Sequence, residues 1–275
     1  MRTITGRLSG KKAIITGGSK GIGEAIALAY AKEGADVAIT YCSDEASAQS
    51  VFAKMKEFDG KYKAIKFDLQ VPDEVELLMK QTVNFLGSID ILVNNAVLLT
   101  KKHFCHFLET AETDLQASID ANLIAPMRLS REVCKQMIAQ KSGGAIINIS
   151  AVSDKRPEAN TQTLIYEVAK AGITMFTRSL AVGMAQYGIR VNTLSPGLVD
   201  TPLLRRVVPK EDLEKVYVHT PLGKMGTPED FQEPAVLLAS NTYMTGSRIV
   251  IDGGRSVAPP PSQEAFEKAK NFWIN

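Results

Sequence analysis

Cysteine is scarce in this chain. Cys42, Cys105 and Cys134 are odd in number and show no metal-ligand spacing, which excludes a disulfide framework and a cysteine-built metal cluster and leaves reduced thiols. Histidine is as thin: His103, His106 and His219 lack ligand spacing, so no metal is expected. No apolar run is long enough to cross a bilayer, and Met1-Arg2-Thr3-Ile4-Thr5-Gly6 is not followed by the apolar core of a secretory signal. The default expectation is a cytoplasmic protein with no membrane partner. Charge of one sign is also missing. Lys and Arg number 32 against 30 Asp and Glu, a net +2, which gives no basis for nucleic acid as a partner. Internal repeats and long linkers are absent too.

What is present is a 275-residue chain, 45% apolar, large enough for one α/β domain with a substantial core. Short β-type runs alternate with longer helical patterns. The strands are expected at 13–16, 36–40, 62–67, 89–94, 145–150, 190–194 and 248–251, and the helices near 21–32, 44–58, 73–86, 112–139, 164–186 and 228–239. Several strands are apolar on both faces, as in Ala145-Ile146-Ile147, which implies a parallel sheet covered on both sides. Right-handed crossovers then give a doubly wound (Rossmann) α/β sheet of about seven strands, a single domain over 1–255. Residues 200–227 form a long connection that reads as a lid. The tail 256–275 opens on Pro259-Pro260-Pro261 and ends in Phe272-Trp273-Ile274. It is either a frayed terminus or a segment packed at a subunit boundary.

The chain turns on Thr16-Gly17-Gly18-Ser19-Lys20-Gly21-Ile22-Gly23, between an apolar strand and a helical pattern. A helix N-terminus placed there carries unpaired N–H groups and partial positive charge, which suit a diphosphate. Gly17 and Gly21 allow the tight turn and Gly23 close helix packing, although the spacing G-x-x-x-G-x-G differs from the common fingerprint. Other candidates end later strands. Asp68 could accept from an adenine amino group or cap a nearby backbone. Asn94-Asn95-Ala96 could satisfy loop backbone and brace a ribose, or serve the turn alone. Pro196-Gly197 and Thr201 could hold a flat amide. Tyr166 and Lys170 share one helix face, where a fixed ammonium would lower the phenol's pKa and let it exchange a proton with a carbonyl or alcohol; a half-buried Tyr beside a solvated Lys is the plainer alternative. Asn122, polar inside an apolar stripe, could hold a water or a lysine.

Taken in this order, with Arg190-Val191-Asn192 and Asp252-Gly253-Gly254 added, the motifs resemble the short-chain dehydrogenase/reductase family, in its Tyr-x-x-x-Lys branch and most similar to 3-oxoacyl-ACP reductases. The resemblance implies an NAD(P)-dependent oxidoreductase on a small-molecule carbonyl or alcohol, in a homotetramer or homodimer. It implies Tyr166 as acid/base, Lys170 as its tuning cation and ribose ligand, and Asn122 as support for a relay water. It extends cofactor contact to Ser19, Ile22, Tyr41, Leu69, Asn95, Ala96 and Val199.

Three departures stand out. Asn94-Asn95-Ala96-Val97 has Val where the family has Gly, and Pro234 interrupts an expected helix. Ala151 stands where the family has a catalytic Ser. Counting back from Tyr166 by the family's usual separation lands on Ser153. In an extended segment Ser153 would share the side of Ala151, so Ser153 is the candidate replacement and Ser150 points the other way. Cofactor choice follows charge. The second strand ends Thr40-Tyr41-Cys42-Ser43 with no acid before Asp44, and Lys20 could face a 2′-phosphate, so NADP(H) is expected over NAD(H). The leading expectation is an NADPH-dependent ketone reductase, or the reverse alcohol dehydrogenase, with its pocket walled by 97–108, 152–165 and the lid. A cofactor-binding protein with little turnover, or a non-redox isomerase or dehydratase, are the alternatives.

Overall fold

Strand β1, Lys12–Ile15, sends Ile14 and Ile15 to opposite faces of the sheet, and both are fully buried. The same alternation in β2 (Asp36–Tyr41), β4 (Ile91–Asn94) and β5 (Gly144–Ile149) builds two cores, one on each face. Ile15, Ile39, Val93 and Ile147 join one core, while Ile14, Ala38, Leu92 and Ile146 join the other. Strands buried on both sides must read as continuous apolar runs, which is why these do. The description comes from a computed structural model and covers residues 6–100, 106–154, 163–209 and 220–257.

With β3 (Tyr62–Lys66), β6 (Ile189–Pro196) and β7 (Arg248–Ile251), the sheet has seven parallel strands in the order β3-β2-β1-β4-β5-β6-β7. The order reverses between β1 and β4, and ligands of such sheets bind beyond the strand ends at that switch. Helices α1 (Gly21–Lys32) and α2 (Glu45–Met55) contribute to one core. Helices α3 (Glu74–Leu86), α5 (Ala125–Gln140) and α6 (Leu164–Met184) contribute to the other. The doubly wound single domain is thus the observed architecture.

Two expected helices differ in detail. The stretch 112–139 is α4 (Glu112–Ile119), a π-turn Asp120–Ile124, then α5. Pro126 has no N–H to offer the carbonyl of Asn122 four residues earlier, and the backbone widens there. Pro234 breaks nothing: a 3₁₀ turn, Pro228–Phe231, precedes α8, Gln232–Ser240, and Pro234 falls in the first turn, where its missing N–H is not needed. The 200–227 connection begins as α7, Pro202–Val207, capped by Thr201 Oγ1 accepting from Leu204 N–H at 3.2 Å. Residues 210–219 of the 200–227 connection, His103, Cys105 and the tail beyond Val257 lie outside the described residues. Among the described residues no helix is long and apolar enough to cross a membrane, and no group of His, Cys, Asp and Glu could hold a metal ion.

Candidate active site

A cleft of about 610 Å³ opens at the carboxyl ends of β1, β4 and β5. Its floor is the glycine turn, which is fixed from several directions. Thr16 Oγ1 accepts from the N–H of Asn95 at 2.9 Å and of Ala96 at 3.0 Å. The Asn95 amide donates to the carbonyls of Thr16 at 2.9 Å and Gly17 at 3.1 Å, and Gly17 N–H donates to Thr40 Oγ1 at 3.1 Å. Gly23 packs directly beneath: a Cβ there would stand 2.3 Å from the Gly17 oxygen and 2.5 Å from Asn95 Nδ2. Only glycine allows this approach. Asn95 thus braces the turn through Nδ2 and also lines the cleft. Thr16 and Thr40 are supports the sequence reading missed; hydroxyls flanking a glycine turn were the signal available.

Helix α1 starts at Gly21, and Lys20 before it makes no side-chain cap. Its first-turn N–H groups and the positive end of its dipole meet the cleft at Ser19, Gly21 and Ile22. An uncapped helix end over a glycine floor fits the diphosphate of a dinucleotide cofactor. Tyr41, Asp68 and Leu69 line the cleft at the end of β2 and β3. Asp68 Oδ1 accepts from Gln70 N–H at 2.9 Å, the capping use foreseen as its alternative. Lys20 forms an ion pair with Asp44, which also caps α2 by accepting from Ser47 N–H at 2.9 Å. Lys20 and then Ser47 hold the Asp44 carboxyl down to about 2.

At the other end stand Tyr166 and Lys170, on the first turns of α6, with Ala96, Pro196, Gly197, Val199 and Thr201 also lining the cleft. Lys170 is buried, and its Nζ donates to the carbonyl of Ile149 at 2.8 Å and lies 5.5 Å from the Tyr166 ring centroid. Burial lowers the Lys170 ammonium to about 8. The Tyr166 phenol is pushed up, by burial first and then by Glu167. That is opposite to the lowering expected from the sequence, because desolvation of the phenolate outweighs an ammonium committed to Ile149.

One further expectation needs correction. The premise for Ser153 fails, since Val152–Asp154 is a 3₁₀ turn rather than an extended segment. Alternation no longer applies, and Ala151 lines the cleft whereas Ser153 does not. The Asn122 side chain bonds loop backbone. Its amide accepts from Leu98 N–H and donates to Leu98 O, both at 2.9 Å, fixing the wall formed by Val97, Leu98 and Leu99. Arg206 of α7, which the sequence reading passed over, donates to Leu99 O at 3.2 Å across the same wall.

Residues 17–256 match the family model described as enoyl-(acyl carrier protein) reductase. The chain is 33% identical to an L-rhamnose 1-dehydrogenase (NAD(P)(+)) of a Sphingomonas species, over 91% of this chain and 98% of that protein. It is 36% identical to a 3-oxoacyl-(acyl carrier protein) reductase of Chlamydia pneumoniae, over 90% and 97%. A crystal structure of a short-chain type dehydrogenase/reductase from Mycobacterium marinum superposes with a TM-score of 0.83 at 35% identity, covering 90% of this chain and 96% of that one. The chain belongs to the short-chain dehydrogenase/reductase family and is an NAD(P)-dependent oxidoreductase.

Proposed function

We propose that this enzyme reduces a ketone with NADPH, or oxidises the matching secondary alcohol, with Tyr166 as the acid/base. The observation that carries the reading is that Tyr166 and Lys170 share one cleft with the uncapped start of α1. A nicotinamide bound there supplies or takes the hydride. Tyr166 supplies the proton. Its half-buried phenol, raised above its ordinary pKa by desolvation, stays in the protonated form needed to donate to a carbonyl oxygen. Lys170, cationic below about pH 8, stands beside the ring and stabilises the phenolate left behind, in a site where little water screens the charge. With Ala151 in the cleft, the carbonyl oxygen takes its hydrogen bond from Tyr166 without help from a serine at that position.

Val97, Leu98, Leu99, Leu203 and Leu204 line the cleft and favour an apolar substrate of small or medium size. Lys20 supports NADPH. Its ion pair with Asp44 is half exposed and therefore worth little, so a 2′-phosphate can draw the ammonium away. Exposed Val168, Met175 and Val182 recur at seven-residue spacing along α6, an apolar stripe that supports assembly into a homotetramer or homodimer. We assign the tail 256–275, set off from the 1–255 domain, to the same subunit boundary.

Absorbance of NADPH followed against a panel of ketones tests the proposal. Turnover on apolar ketones that is lost in Tyr166→Phe supports it. Tight NADPH binding with no turnover on any carbonyl favours the cofactor-binding reading, for which the missing hydroxyl at Ala151 is the specific observation.

A further inference from the structure

We infer that a buried polar cluster centred on Asp154 and Arg248 is a positioning device for Lys170 and Tyr166. The inference rests on the catalytic reading above. The Asp154 side chain is wholly buried and that of Arg248 is 10% exposed. Both Asp154 oxygens bind the Arg248 guanidinium, with Nε 3.0 Å from Oδ2 and Nη2 on Oδ1. Arg248 Nε also reaches Ser195 Oγ at 3.0 Å, on the neighbouring strand β6. From the other side Thr174 donates its hydroxyl to Asp154 Oδ2. Ser150 Oγ lies 3.2 Å from that same oxygen, 3.0 Å from Thr174 Oγ1 and 2.9 Å from the backbone carbonyl of Lys170.

The cluster therefore ties five elements together: the end of β5, the 3₁₀ turn after it, α6, β6 and the edge strand β7. It meets the reaction site at Ala151, whose carbonyl accepts from Arg248 Nη2 at 3.5 Å and from Asp154 N–H at 3.2 Å, and at Lys170. Ser150 grips the main chain of Lys170, while the Lys170 ammonium grips the carbonyl of Ile149, the residue before Ser150. These two bonds close a ring between the strand end and the helix that carries Tyr166. Asp154 and Arg248 hold that ring through Thr174 and Ser150 without reaching the cleft, which neither of them lines.

Stability alone does not explain such a pair. A buried ion pair is often no better for folding than well-packed apolar residues, because both charges must be stripped of water. What it provides here is fixed distance and direction at the base of the Tyr166 helix and at Ala151. Asp154, Thr174 and Arg248 are thus positioning residues, acting on proton transfer through Lys170 and Tyr166.

The test compares Thr174→Val, which keeps the shape and removes the hydroxyl, with Thr174→Ser, which keeps the hydroxyl and removes the methyl. Asp154→Asn is the stronger perturbation; should it fail to fold, the threonine pair carries the test. Expected for Thr174→Val is a kcat at least about tenfold lower, with KM and the NADPH Kd from cofactor fluorescence within about twofold of wild type. Thr174→Ser keeps kcat within about twofold. Hydrogen exchange of the 149–154 amides, measured without cofactor, is expected to quicken in Thr174→Val and not in Thr174→Ser. Overturning results are normal kcat and normal exchange in a folded Thr174→Val, or damage in Thr174→Ser with Thr174→Val normal, which would make the residue a packing group. If wild type turns over no ketone, the catalytic reading fails, and the exchange measurement still decides whether the cluster fixes the strand end.

Discussion

The Lys170 ammonium donates to the carbonyl of Ile149 at 2.8 Å, inside the protein and beside the ring of Tyr166. A cation held there costs stability, since burial brings its pKa down to about 8 from the ordinary lysine value. Below pH 8 both folded and unfolded chains carry the charge, and the cost is present in full. Between pH 8 and about 10.4 the unfolded chain binds the extra proton, so stability rises with pH across that window.

Lys170→Met is therefore expected to abolish turnover and yet stabilise the cofactor-free protein at pH 7. The relieved desolvation is about 3 kcal/mol, offset by roughly 1–2 kcal/mol for the lost hydrogen bond. The gain should shrink toward pH 10. Thermal midpoints of both proteins at pH 7 and pH 10 check this. A variant less stable than wild type by the same amount at both pH values would show that the lysine is not buried at a cost.

Lys20, ion-paired with Asp44, is the residue on which the proposed NADPH preference rests. Lys20→Glu should weaken NADPH at least about tenfold and NADH much less, because a phosphate faces a carboxylate where it had an ammonium. Asp44→Asn should tighten NADPH about threefold, since Asn still caps α2 and the ammonium is released. Fluorescence titration with each cofactor measures both. Equal losses for NADPH and NADH in Lys20→Glu would remove Lys20 from the specificity argument.

Gly23→Ala carries no backbone strain, as Gly23 is not in the left-handed region, but its Cβ would overlap the Gly17 carbonyl. The expected cost is about 1–3 kcal/mol. Cofactor affinity should fall at least about tenfold, because the glycine turn must shift to make room. Calorimetry without cofactor and fluorescence titration with it report the two effects. An unchanged affinity would mean the turn does not hold the diphosphate.

Ala151→Ser places a hydroxyl on the cleft wall, where the family resemblance implies one. A gain in kcat of about tenfold or more is expected on a ketone already turned over, by the usual worth of an oxyanion donor. Ser153→Ala should change kcat by less than about threefold, because the 3₁₀ turn takes Ser153 off the cleft wall. Steady-state rates of the two variants decide between them. A collapse in Ser153→Ala with no gain in Ala151→Ser would restore Ser153 to the mechanism.

Much of this architecture was legible in the chain. Apolar runs such as Ala145-Ile146-Ile147 marked strands buried on two faces, and α1 begins at Gly21 as the glycine pattern indicated. The turn at Asp120–Ile124 was not legible, because its cause is one proline in an otherwise regular helical pattern. The local residue types of the site were readable, whereas their commitments were not. Asn122 satisfies loop backbone that only the folded chain brings near it, whereas Asn95 braces loop backbone as expected. Asp154 finds Arg248 at a sequence separation of 94, beyond any local spacing rule. Lys20 and Asp44 were each noticed, yet their contact depends on how α2 starts beside the glycine turn. Ser153 was misplaced because period-two alternation was carried past the end of β5 into a 3₁₀ turn.

The most direct measurement follows the hydride and the proton donor together. NADPH carrying deuterium at the transferred position is incubated with a ketone substrate, and the alcohol is weighed by mass spectrometry. Wild type should place one deuterium on the product carbon. Tyr166→Phe should bind NADPH within about twofold of wild type and yield no labelled alcohol above the uncatalysed background. Labelled alcohol formed by Tyr166→Phe at a rate near wild type would contradict the central claim that Tyr166 delivers the proton.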